Sequence, residues 1–501
     1  MSVTMRIADG VGYVQIDNPP VNTIGKAVGQ GLLDAVRWAE KEPITRVILS
    51  GVGKMFAAGT DLLEFDEAPK EPYLPDILNA IDSSFIPWIA VINGLALGNA
   101  AEVAMACRMR IMHSKAQIGL PEITLGMIPG AGATQRLPRL VGLEKALEMI
   151  STGRLLKQDE ALTAGLVHRV EDDTDLEAFM VNTEELGCIV PTWELPAPER
   201  DGMMFEAARQ FASLNMPRQN APQRAIDVIE DGLLIPFHDA LFFERTAFIR
   251  LKTEPQSQAL RYIFFAECGA RRKNIITGTD LIIDRIYTRY LEAADTVFMD
   301  GSTPWEVDEA MVNFGYELGP YEAQDLAGLD VAHANRRRQD ATRDPSRRYI
   351  PIADRMVELG KLGVKTGAGW YRYPGGNGKV EDPIVADLAI EESYFAKRER
   401  TDYPPNQIYE RLVLAMINEA AHLLGEGIAQ SAGDIDLITV SKLSFPRWRG
   451  GLMHYAGTLG AKSIVEKLGE LVKEDPVVWN ISSILLECAE QGTMLADFKG
   501  D

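Results

Sequence analysis

Two glutamates in apolar surroundings are the first residues of the sequence that could do chemistry. Glu102 lies in the run 100–106, where every neighbour is apolar, and Glu122 lies in the apolar segment 118–140. Two carboxyl groups whose pKa values are shifted by burial can divide the roles of general acid and general base. The alternatives are a solvated helix face for Glu102 and, for Glu122, a helix start after Pro121, where the helix dipole favours an acidic residue.

Two glycine-containing turns lead from predicted strands into predicted helices. The first is KMFAAGTDLLEF at 54–65, and the second is NGLALGNAAE at 93–102. Backbone N–H groups at a helix start are unpaired, and small residues let a ligand approach them closely. Two such turns could form an oxyanion hole that stabilises the enolate of a thioester. An ordinary strand-to-helix turn, or tight packing of a helix on a sheet, would have the same sequence pattern.

The surrounding pattern places both turns in an α/β fold. Three apolar runs predict strands at 11–16, 45–51 and 86–94, and helical spacing follows near 26–41 and 100–107. Strands that alternate with helices predict a sheet covered by helices over roughly the first 170 residues.

The rest of the chain is predicted to be helical. An acidic, proline-containing stretch at 171–200 is interpreted as a surface connection, and helical spacing continues from residue 203 to the end. Two segments resemble distant copies, one starting at 284–286 and the other at 410–412, an offset of 410 − 284 = 126 residues. We predict a tandem helical duplication, with a Gly/Pro-rich segment at 367–383 between the copies.

Composition excludes several classes of protein. The chain has 501 residues, of which 46% are apolar, so we expect about three domains with real cores rather than disorder. The 51 basic and 72 acidic residues give a net charge of −21, which lacks the basic footprint that nucleic acid requires. No apolar run approaches the length of a membrane span, and the first ten residues lack the regions of a signal peptide.

The cysteines and histidines indicate neither a metal site nor a disulfide framework. The four cysteines have no CxxC spacing and the six histidines are dispersed. The C-terminal residues, FKGD, are not a peroxisomal address of the Ser-Lys-Leu type. We therefore expect a cytoplasmic protein.

The motifs of the first 190 residues resemble those of the crotonase (enoyl-CoA hydratase/isomerase) superfamily. The segments NGLALGNAAEVAMAC (93–107) and QIGLPEITLGMIPGAGATQRLPRL (117–140) carry the resemblance. FAAGTDLLEF (56–65) is similar to the family's first oxyanion turn, and STGRLLKQDEALTAGLVHRV (151–170) is similar to the segment that follows in the family. The resemblance implies the α/β crotonase fold, a ββα spiral, and action on CoA thioesters.

The same resemblance implies roles for particular residues. The oxyanion amides would be those of Thr60 and Asn99, the latter at a position where the family usually has glycine. Glu102 and Glu122 match the two catalytic glutamates of hydratases, and Gly130 matches the glycine whose amide helps to hold the catalytic water. We expect Glu102 to be the water-orienting base and Glu122 to be the acid toward C2, an order that the sequence does not fix.

The CoA part of the substrate is expected to lie along the first turn. By resemblance its adenine would meet the backbone near Ala57 and Ala58, and Lys54 would meet a phosphate unless it is an ordinary surface lysine. The further substrate-binding residues are expected to be Gly59, Asp61 and Gly98.

The remainder of the chain resembles the peroxisomal-type multifunctional enzymes of fatty-acid β-oxidation, which join a crotonase domain to a 3-hydroxyacyl-CoA dehydrogenase. QALRYIFFAECGARRK (258–273) is similar to their linker helix, and MINEAAHLLGEGIA (416–429) to part of their all-α, tandem C-terminal helical domains. The resemblance implies four parts, which are a crotonase domain at 1–195, its C-terminal helices with the linker helix at 196–272, and two dehydrogenase-C-like helical domains at 273–385 and 386–501.

One domain of those enzymes has no counterpart here. Their NAD-binding Rossmann domain follows the linker helix, but FAECGARRK passes to NIITGTDLIIDRIYTRYLEAAD with no strand followed by GxGxxG. In addition, Asp284 precedes Arg285 where the family usually has Asn. We therefore expect neither bound NAD nor dehydrogenase activity.

The resulting prediction is an enoyl-CoA hydratase that adds water across the 2,3 double bond of a 2-enoyl-CoA. The alternatives are a Δ3,Δ2-enoyl-CoA isomerase in the same pocket and a non-catalytic acyl-CoA-binding scaffold. Coenzyme A enters only as part of the acyl-CoA substrate, and no metal is expected. We expect a monomer, with an oligomer as the alternative, no nucleic-acid or membrane partner, and a separate 3-hydroxyacyl-CoA dehydrogenase downstream.

Overall fold

The structure, a computed structural model, describes residues 2–61, 65, 70–172, 183–273, 279–339, 348–376, 378–493 and 495. The chain divides into two compact units, Met1–Gln258 and Ala259–Asp501. The division falls inside one long helix, so the residues from Ala259 onward belong with the second unit. The predicted division into four parts is finer than this one and stays a prediction.

The first unit is built from short and medium-length strands. They are β1 (Val3–Ala8), β2 (Val11–Ile16), β3 (Arg46–Gly51), β4 (Met55–Ala57), β5 (Trp88–Ile92), β6 (Leu95–Leu97), β7 (Met109–His113), β8 (Gln117–Gly119), β9 (Leu156–Lys157) and β10 (Arg169–Glu171). The larger sheet has the order β1-β2-β3-β5-β7-β10, with β1 and β2 antiparallel and the other neighbours parallel. The smaller sheet has the order β4-β6-β8-β9, parallel except for its last pair.

Helices cover both sheets. Those of the first unit are α1 (Lys26–Ala39), α2 (Leu74–Asp82), α3 (Asn99–Ala106), α4 (Ala133–Val141), α5 (Leu143–Thr152), α6 (Gln158–Thr163), α7 (Thr183–Cys188), α8 (Gly202–Asn215), α9 (Asn220–Gly232) and α10 (Phe237–Thr253). A short 3-10 helix, Pro121–Leu125, lies between β8 and α4, and α11 (Pro255–Lys273) contains the boundary between the units.

The two sheets are wound together as a spiral. Each turn of the chain gives one strand to the larger sheet and then a short strand to the smaller sheet, first β3 and β4, then β5 and β6, then β7 and β8. Because β4, β6 and β8 are parallel neighbours, the segments that leave them emerge at one edge of the smaller sheet. This is the ββα spiral that the sequence predicted.

The predicted strands and helices agree with the structure where they are long. The predicted strand at 11–16 is β2, and that at 45–51 is β3. The predicted strand at 86–94 ends at Ile92 and is followed by β6, which was not predicted. Strands of three residues are too short to show a period of two, so no sequence pattern marked β4, β6 or β8.

The larger sheet is buried on both faces. Along β3, Val47 and Leu49 join the main hydrophobic core, whereas Ile48 between them belongs to a second cluster on the opposite face. Side chains alternate in this way because successive residues of a strand point to opposite faces. Burial of both faces explains the nearly continuous apolar sequences of the parallel strands.

The second unit is helical. Its helices are α12 (Thr279–Asp300), α13 (Pro304–Phe314), α14 (Pro320–Ala327), α15 (Leu329–Gln339), α16 (Ile352–Glu358), α17 (Pro383–Phe395), α18 (Pro405–Gly425), α19 (Ala432–Lys442), α20 (Leu452–Leu459), α21 (Ala461–Glu474) and α22 (Ser483–Gln491). A small antiparallel pair, β11 (Tyr371–Arg372) and β12 (Val380–Glu381), accompanies them.

Two sets of three helices repeat the same capping contact. In α12–α14, the carboxylate of Asp308 on α13 accepts the N–H groups of the second and third residues of α14 at 2.8 and 2.9 Å. In α18–α20, Asp436 on α19 accepts the N–H groups of the second and third residues of α20 at 2.6 and 3.2 Å. A buried aspartate at the same helical position in both sets supports the predicted tandem duplication.

Two further expectations concern only the described ranges. In these ranges no helix is both long enough and apolar enough to cross a membrane, and no group of three or more His, Cys, Asp or Glu side chains is arranged to hold a metal ion. Residues 173–182, a third of the predicted connection at 171–200, lie outside the described residues, as do 62–64 of the first glycine-containing turn.

Candidate active site

The turns that follow β4 and β6 lie against each other. The first passes through Gly59, with φ +88°, and the second through Gly98, with φ +55°. A Cβ on Gly59 would lie 2.6 Å from the carbonyl oxygen of Leu97 and 3.8 Å from the backbone nitrogen of Asn99. Only glycine permits so close an approach at this positive φ. The two predicted oxyanion turns therefore adjoin.

The N–H groups that follow the two glycines are available to a ligand. Thr60 forms an isolated β-bridge with Ile24. The two hydrogen bonds of this bridge are donated by the N–H groups of Ile24 and Asp61, so the N–H of Thr60 takes no part in it. Asn99 is the first residue of α3, so its N–H has no acceptor within the helix. Neither N–H donates a hydrogen bond within the part of the chain that the structure describes. Two such donors on adjoining turns can form an oxyanion hole.

Glu102 is completely buried on α3, four residues after Gly98. Its Oε1 accepts the N–H groups of Ala131 at 2.8 Å and Ala133 at 3.1 Å. Its Oε2 is buried and has no hydrogen-bond partner among the described residues. The alternative of a solvated helix face is therefore wrong. One carboxylate oxygen is held by backbone, and the other is available to a water molecule.

Glu122 reaches the second oxyanion turn. It lies in the first turn of the 3-10 helix, as its helix-start alternative predicted. A Cβ on Gly98 would lie 2.6 Å from its Oε1, so the carboxyl group packs directly on that turn. Its Oε2 is buried without a partner in the described ranges. Glu122 therefore lies both at a helix start and at the candidate site.

The two carboxyl groups have raised pKa values. Burial raises the pKa of Glu102, while its two backbone donors and the positive charges of Arg136 and Arg245 oppose the rise. Burial, and then the negative charge of Glu102, raise the pKa of Glu122 to about 8. Because Glu102 has the stronger set of donors and cations, its ionised form is the better stabilised of the two.

The raised pKa of Glu122 predicts that Glu122→Gln stabilises the fold at alkaline pH. The folded state binds the proton more tightly than the unfolded chain, whose pKa is about 4.3. The stability that this proton contributes is complete below that value and is lost as the pH rises through about 8. The neutral amide avoids this loss, so its gain in Tm over wild type should be close to zero at pH 4 and at least about 2–4 °C at pH 9.

A matched control for this experiment is Glu230→Gln. Burial alone would raise the pKa of Glu230, but its ion pairs with Arg209 and Arg200 lower it. Glu230 therefore stabilises the folded state above the unfolded pKa, and Glu230→Gln should lower Tm at neutral pH. Calorimetric scans from pH 4 to pH 9 would measure both variants. A Tm difference for Glu122→Gln that does not change with pH would contradict the prediction.

Sequence reasoning missed a third carboxyl group at the site. Glu244 on α10 is completely buried and accepts the N–H groups of Gly132 at 2.5 Å and Thr134 at 2.8 Å. Burial, and then the charge of Glu102, raise the pKa of Glu244 to about 8. No local signal marked this residue, because it is one acidic residue in an ordinary helical pattern and lies 112 positions from Gly132 in the chain.

Sequence reasoning also missed a buried ion pair beside the carboxyl groups. The Nε of Arg136 donates to Asp82 at 3.0 Å, and both side chains are at most 3% exposed. The Nη1 of Arg136 donates to the carbonyl oxygen of Ala131 at 3.0 Å. The guanidinium thus lies against the backbone that holds Glu102, and its charge partly offsets the buried carboxylates.

The predicted CoA-binding residues lie along β4 and the first turn. Ala57 is buried, Ala58 and Asp61 are partly exposed, and Lys54 is exposed just before the strand. The hydroxyl of Thr23 donates to the Asp61 carboxylate at 3.4 Å. Their contacts with CoA stay predictions.

Gly130 comes directly before the backbone that holds Glu102. A Cβ on this glycine would lie 2.5 Å from the ring of Phe248, and its carbonyl oxygen accepts from Arg245 at 3.4 Å. Its N–H donates to no acceptor in the described ranges. The structure therefore brings Gly130 near Glu102, and its predicted hold on the catalytic water stays a prediction.

Comparison with protein families identifies both units. Residues 6–185 match the family described as enoyl-CoA hydratase/isomerase. The first unit carries a crotonase domain. Residues 281–373 match the family described as 3-hydroxyacyl-CoA dehydrogenase, C-terminal domain. The protein is an enzyme of the enoyl-CoA hydratase/isomerase type, joined to a dehydrogenase-type helical domain.

Similar proteins match this chain over most of their own length. The peroxisomal bifunctional enzyme of Cavia porcellus is 24% identical over 713 residues, covering 98% of this chain and 98% of that enzyme. The peroxisomal bifunctional enzyme of Danio rerio is 26% identical, covering 91% and 92%. A solved structure of an enoyl-CoA hydratase from Bacillus anthracis is 28% identical with a TM-score of 0.33, covering 55% of this chain and 97% of that one.

The alignment with the Cavia enzyme also shows a large difference in length. Since 713 positions are aligned and this chain has 501 residues, at least 713 − 501 = 212 positions have no residue here. Between α11 and α12 only residues 274–278 remain. One βαβ unit needs about 30 residues. The five-residue interval therefore cannot contain the Rossmann domain that the crotonase-dehydrogenase resemblance places there.

The helical domain contains the predicted departure from the family at Asp284. This residue lies on α12 and lines a cavity of about 1320 Å³ within the second unit. The adjacent Arg285 forms an ion pair with Glu419 of α18 at 2.6 Å. It forms a second ion pair with Glu426, the C-cap residue of the same helix. These contacts tie α12 to α18.

Proposed function

We propose that the crotonase domain hydrates 2-enoyl-CoA thioesters. The observation that carries the proposal is the presence of two carboxyl groups, those of Glu102 and Glu122, beside the adjoining oxyanion turns, each with a buried Oε2 that has no hydrogen-bond partner among the described residues. Hydration needs donors for the thioester oxygen, a base for the water and an acid for C2. This arrangement offers all three, with the N–H groups of Thr60 and Asn99 as the donors.

The reaction follows from these positions. The thioester oxygen accepts the N–H groups of Thr60 and Asn99, and a water molecule is held at Oε2 of Glu102. Glu102 takes a proton from the water as the water oxygen bonds to C3. The electrons of the C2–C3 double bond move toward the thioester oxygen, which gives an enolate. Glu122 then gives its proton to C2, which restores the thioester. The raised pKa of Glu122 supports its role as the acid.

We further propose that the reaction stops at the 3-hydroxyacyl-CoA and needs no NAD. Two facts support this, the five-residue interval between α11 and α12 and the missing aligned positions. A separate 3-hydroxyacyl-CoA dehydrogenase would then oxidise the product. The helical unit would remain as a structural part or as a shield for substrate.

An absorbance assay tests the proposal. With crotonyl-CoA and with a longer 2-enoyl-CoA, we expect loss of the conjugated thioester absorbance that is independent of added NAD. We also expect kcat to fall on both sides of an optimum, at acid pH as Glu102 is protonated and above about pH 8 as Glu122 loses its proton. Formation of NADH from a 3-hydroxyacyl-CoA would overturn the claim that dehydrogenation is absent.

The same assay separates the alternatives. Conversion of a 3-enoyl-CoA to the 2-enoyl-CoA, without hydration of the latter, would establish the isomerase, which needs only one carboxyl group to move a proton between C4 and C2. Tight binding of acyl-CoA without turnover would establish the scaffold. Light scattering would test the proposed monomer. A cytoplasmic location stays a prediction, while the names of the relatives above assign those proteins to peroxisomes.

A further inference from the structure

A five-residue segment, 130–134, is held through alternate backbone N–H groups by two different carboxylates; we call this segment the strap. The N–H groups of its second and fourth residues donate to Oε1 of Glu102 at 2.8 and 3.1 Å. The N–H groups of its third and fifth residues donate to Glu244 at 2.5 and 2.8 Å. Because consecutive N–H groups of one short segment are divided between them, neither carboxylate can lose its contacts without affecting those of the other.

Side chains from α4 and α10 hold the strap further. The hydroxyl of Thr134 donates to Oε2 of Glu244 at 2.5 Å. The carbonyl oxygens of the first two strap residues accept from Arg245 at 3.4 Å and from Arg136 at 3.0 Å. At Gly132, with φ +113°, a Cβ would lie 2.0 Å from the Arg136 guanidinium. The strap therefore has little room to move while Glu244 keeps its three donors.

We propose that Glu244 is a positioning residue for hydration, which holds the strap so that its N–H groups occupy Oε1 of Glu102 and leave Oε2 for the reacting water. This inference rests on the hydratase function proposed above. Within the described residues the hydrogen bonds of Glu244 go to the strap, so it acts on the reaction through Glu102.

The hold of Glu244 on the strap and the charge of Glu244 would shift the pKa of Glu102 in opposite directions. Where Glu244 is ionised, its negative charge would raise the pKa of Glu102 by repulsion, whereas the strap N–H groups lower it by favouring the carboxylate. The other charged groups that act on these carboxyl groups are Glu122 from the 3-10 helix, Arg136 from α4 and Arg245 from α10. These groups are the same in every variant below, so the sign of a shift identifies its cause.

Two variants of the full chain separate the two effects. Glu244→Asp keeps the charge but is one methylene shorter and releases the strap. Glu244→Gln keeps the length but loses the charge and replaces one of the two acceptor oxygens by an NH2 group, which cannot accept a strap N–H. Positioning predicts that both lower kcat for crotonyl-CoA about 10- to 100-fold and change KM less than about twofold. Both should also move the acid limb of the kcat–pH profile to higher pH. The control Glu230→Gln should keep the wild-type profile.

Two kinetic outcomes would overturn the inference. Wild-type kinetics of Glu244→Asp, together with an acid limb at lower pH in Glu244→Gln, would mean that Glu244 acts by charge alone. Profiles of both variants that match Glu230→Gln would mean that Glu244 has no influence on Glu102. If Glu244→Gln fails to fold, Glu244→Asp still decides between these outcomes and positioning.

Hydrogen exchange, measured by mass spectrometry on the full chain, tests the contact without activity. We expect faster exchange at the strap in both Glu244 variants and wild-type exchange there in Glu230→Gln, because the strap N–H groups are protected by their hydrogen bonds. Unchanged exchange would overturn the role of Glu244 at the strap. Faster exchange in a protein whose wild type hydrates no enoyl-CoA would instead show that the hydratase function, and with it the positioning role, is wrong.

Discussion

Glu102→Gln is expected to lower kcat for hydration of a 2-enoyl-CoA about 10³-fold, within the range of general acid–base contributions. The glutamine oxygen can still accept the N–H groups of Ala131 and Ala133, so the strap keeps its place. The neutral amide cannot take a proton from the attacking water. Because this change spares the oxyanion turns, affinity for a saturated acyl-CoA should stay near that of wild type.

The absorbance assay gives kcat, and titration calorimetry with butyryl-CoA gives the affinity. Glu230→Gln is the control, because Glu230 is a mostly buried glutamate of the same unit whose partners are Arg200 and Arg209 rather than the site. A Glu102 variant that kept most of the wild-type kcat would show that another group activates the water. Loss of hydration with retained conversion of a 3-enoyl-CoA would point to Glu122 as the group that moves the isomerase proton.

Gly59→Ala is expected to lower kcat about 10²- to 10³-fold, the usual effect of losing one oxyanion donor. The added Cβ would lie 2.6 Å from the Leu97 carbonyl oxygen, so the first turn must move away from the second. That movement separates the N–H of Thr60 from that of Asn99. The positive φ of +88° adds backbone strain of about 1–2 kcal/mol, so Tm should fall as well.

Gly10→Ala separates the two consequences of Gly59→Ala. Gly10 also has a positive φ, +73°, but a Cβ there would meet no atom within 4 Å, and it lies in the turn between β1 and β2. Its variant should lose a comparable amount of stability by thermal unfolding and keep the wild-type kcat. A full kcat in Gly59→Ala would contradict the assignment of this turn to the oxyanion hole.

Much of the candidate site was readable in the sequence because its parts are local. Each oxyanion turn is a continuous segment in which a glycine closely follows a short strand, and Glu102 lies four residues after Gly98, in the helix that the second turn begins. An acidic residue in an apolar helix is conspicuous without any tertiary information. The sequence alone also determined that no Rossmann domain fits between α11 and α12, since that is a matter of chain length.

Other features could not be predicted, because they depend on contacts between distant parts of the chain. The smaller sheet consists of strands too short to show a period, and only pairing with their neighbours forms them. The helix-start and active-site interpretations of Glu122 had the same sequence pattern, and only the packing of its carboxyl group on Gly98 shows that both hold.

Sequence by itself therefore determined the candidate chemistry of this protein, namely two carboxyl groups in apolar surroundings and two glycine-containing turns. Tertiary structure alone decided how that chemistry is held. Glu244 reaches the strap from a helix more than a hundred residues further along the chain, and Arg136 is paired with Asp82 beneath it. The physical reason is that periodicity and turn chemistry are encoded by neighbouring residues, whereas the partner of a buried charge is set by which helices the fold packs together.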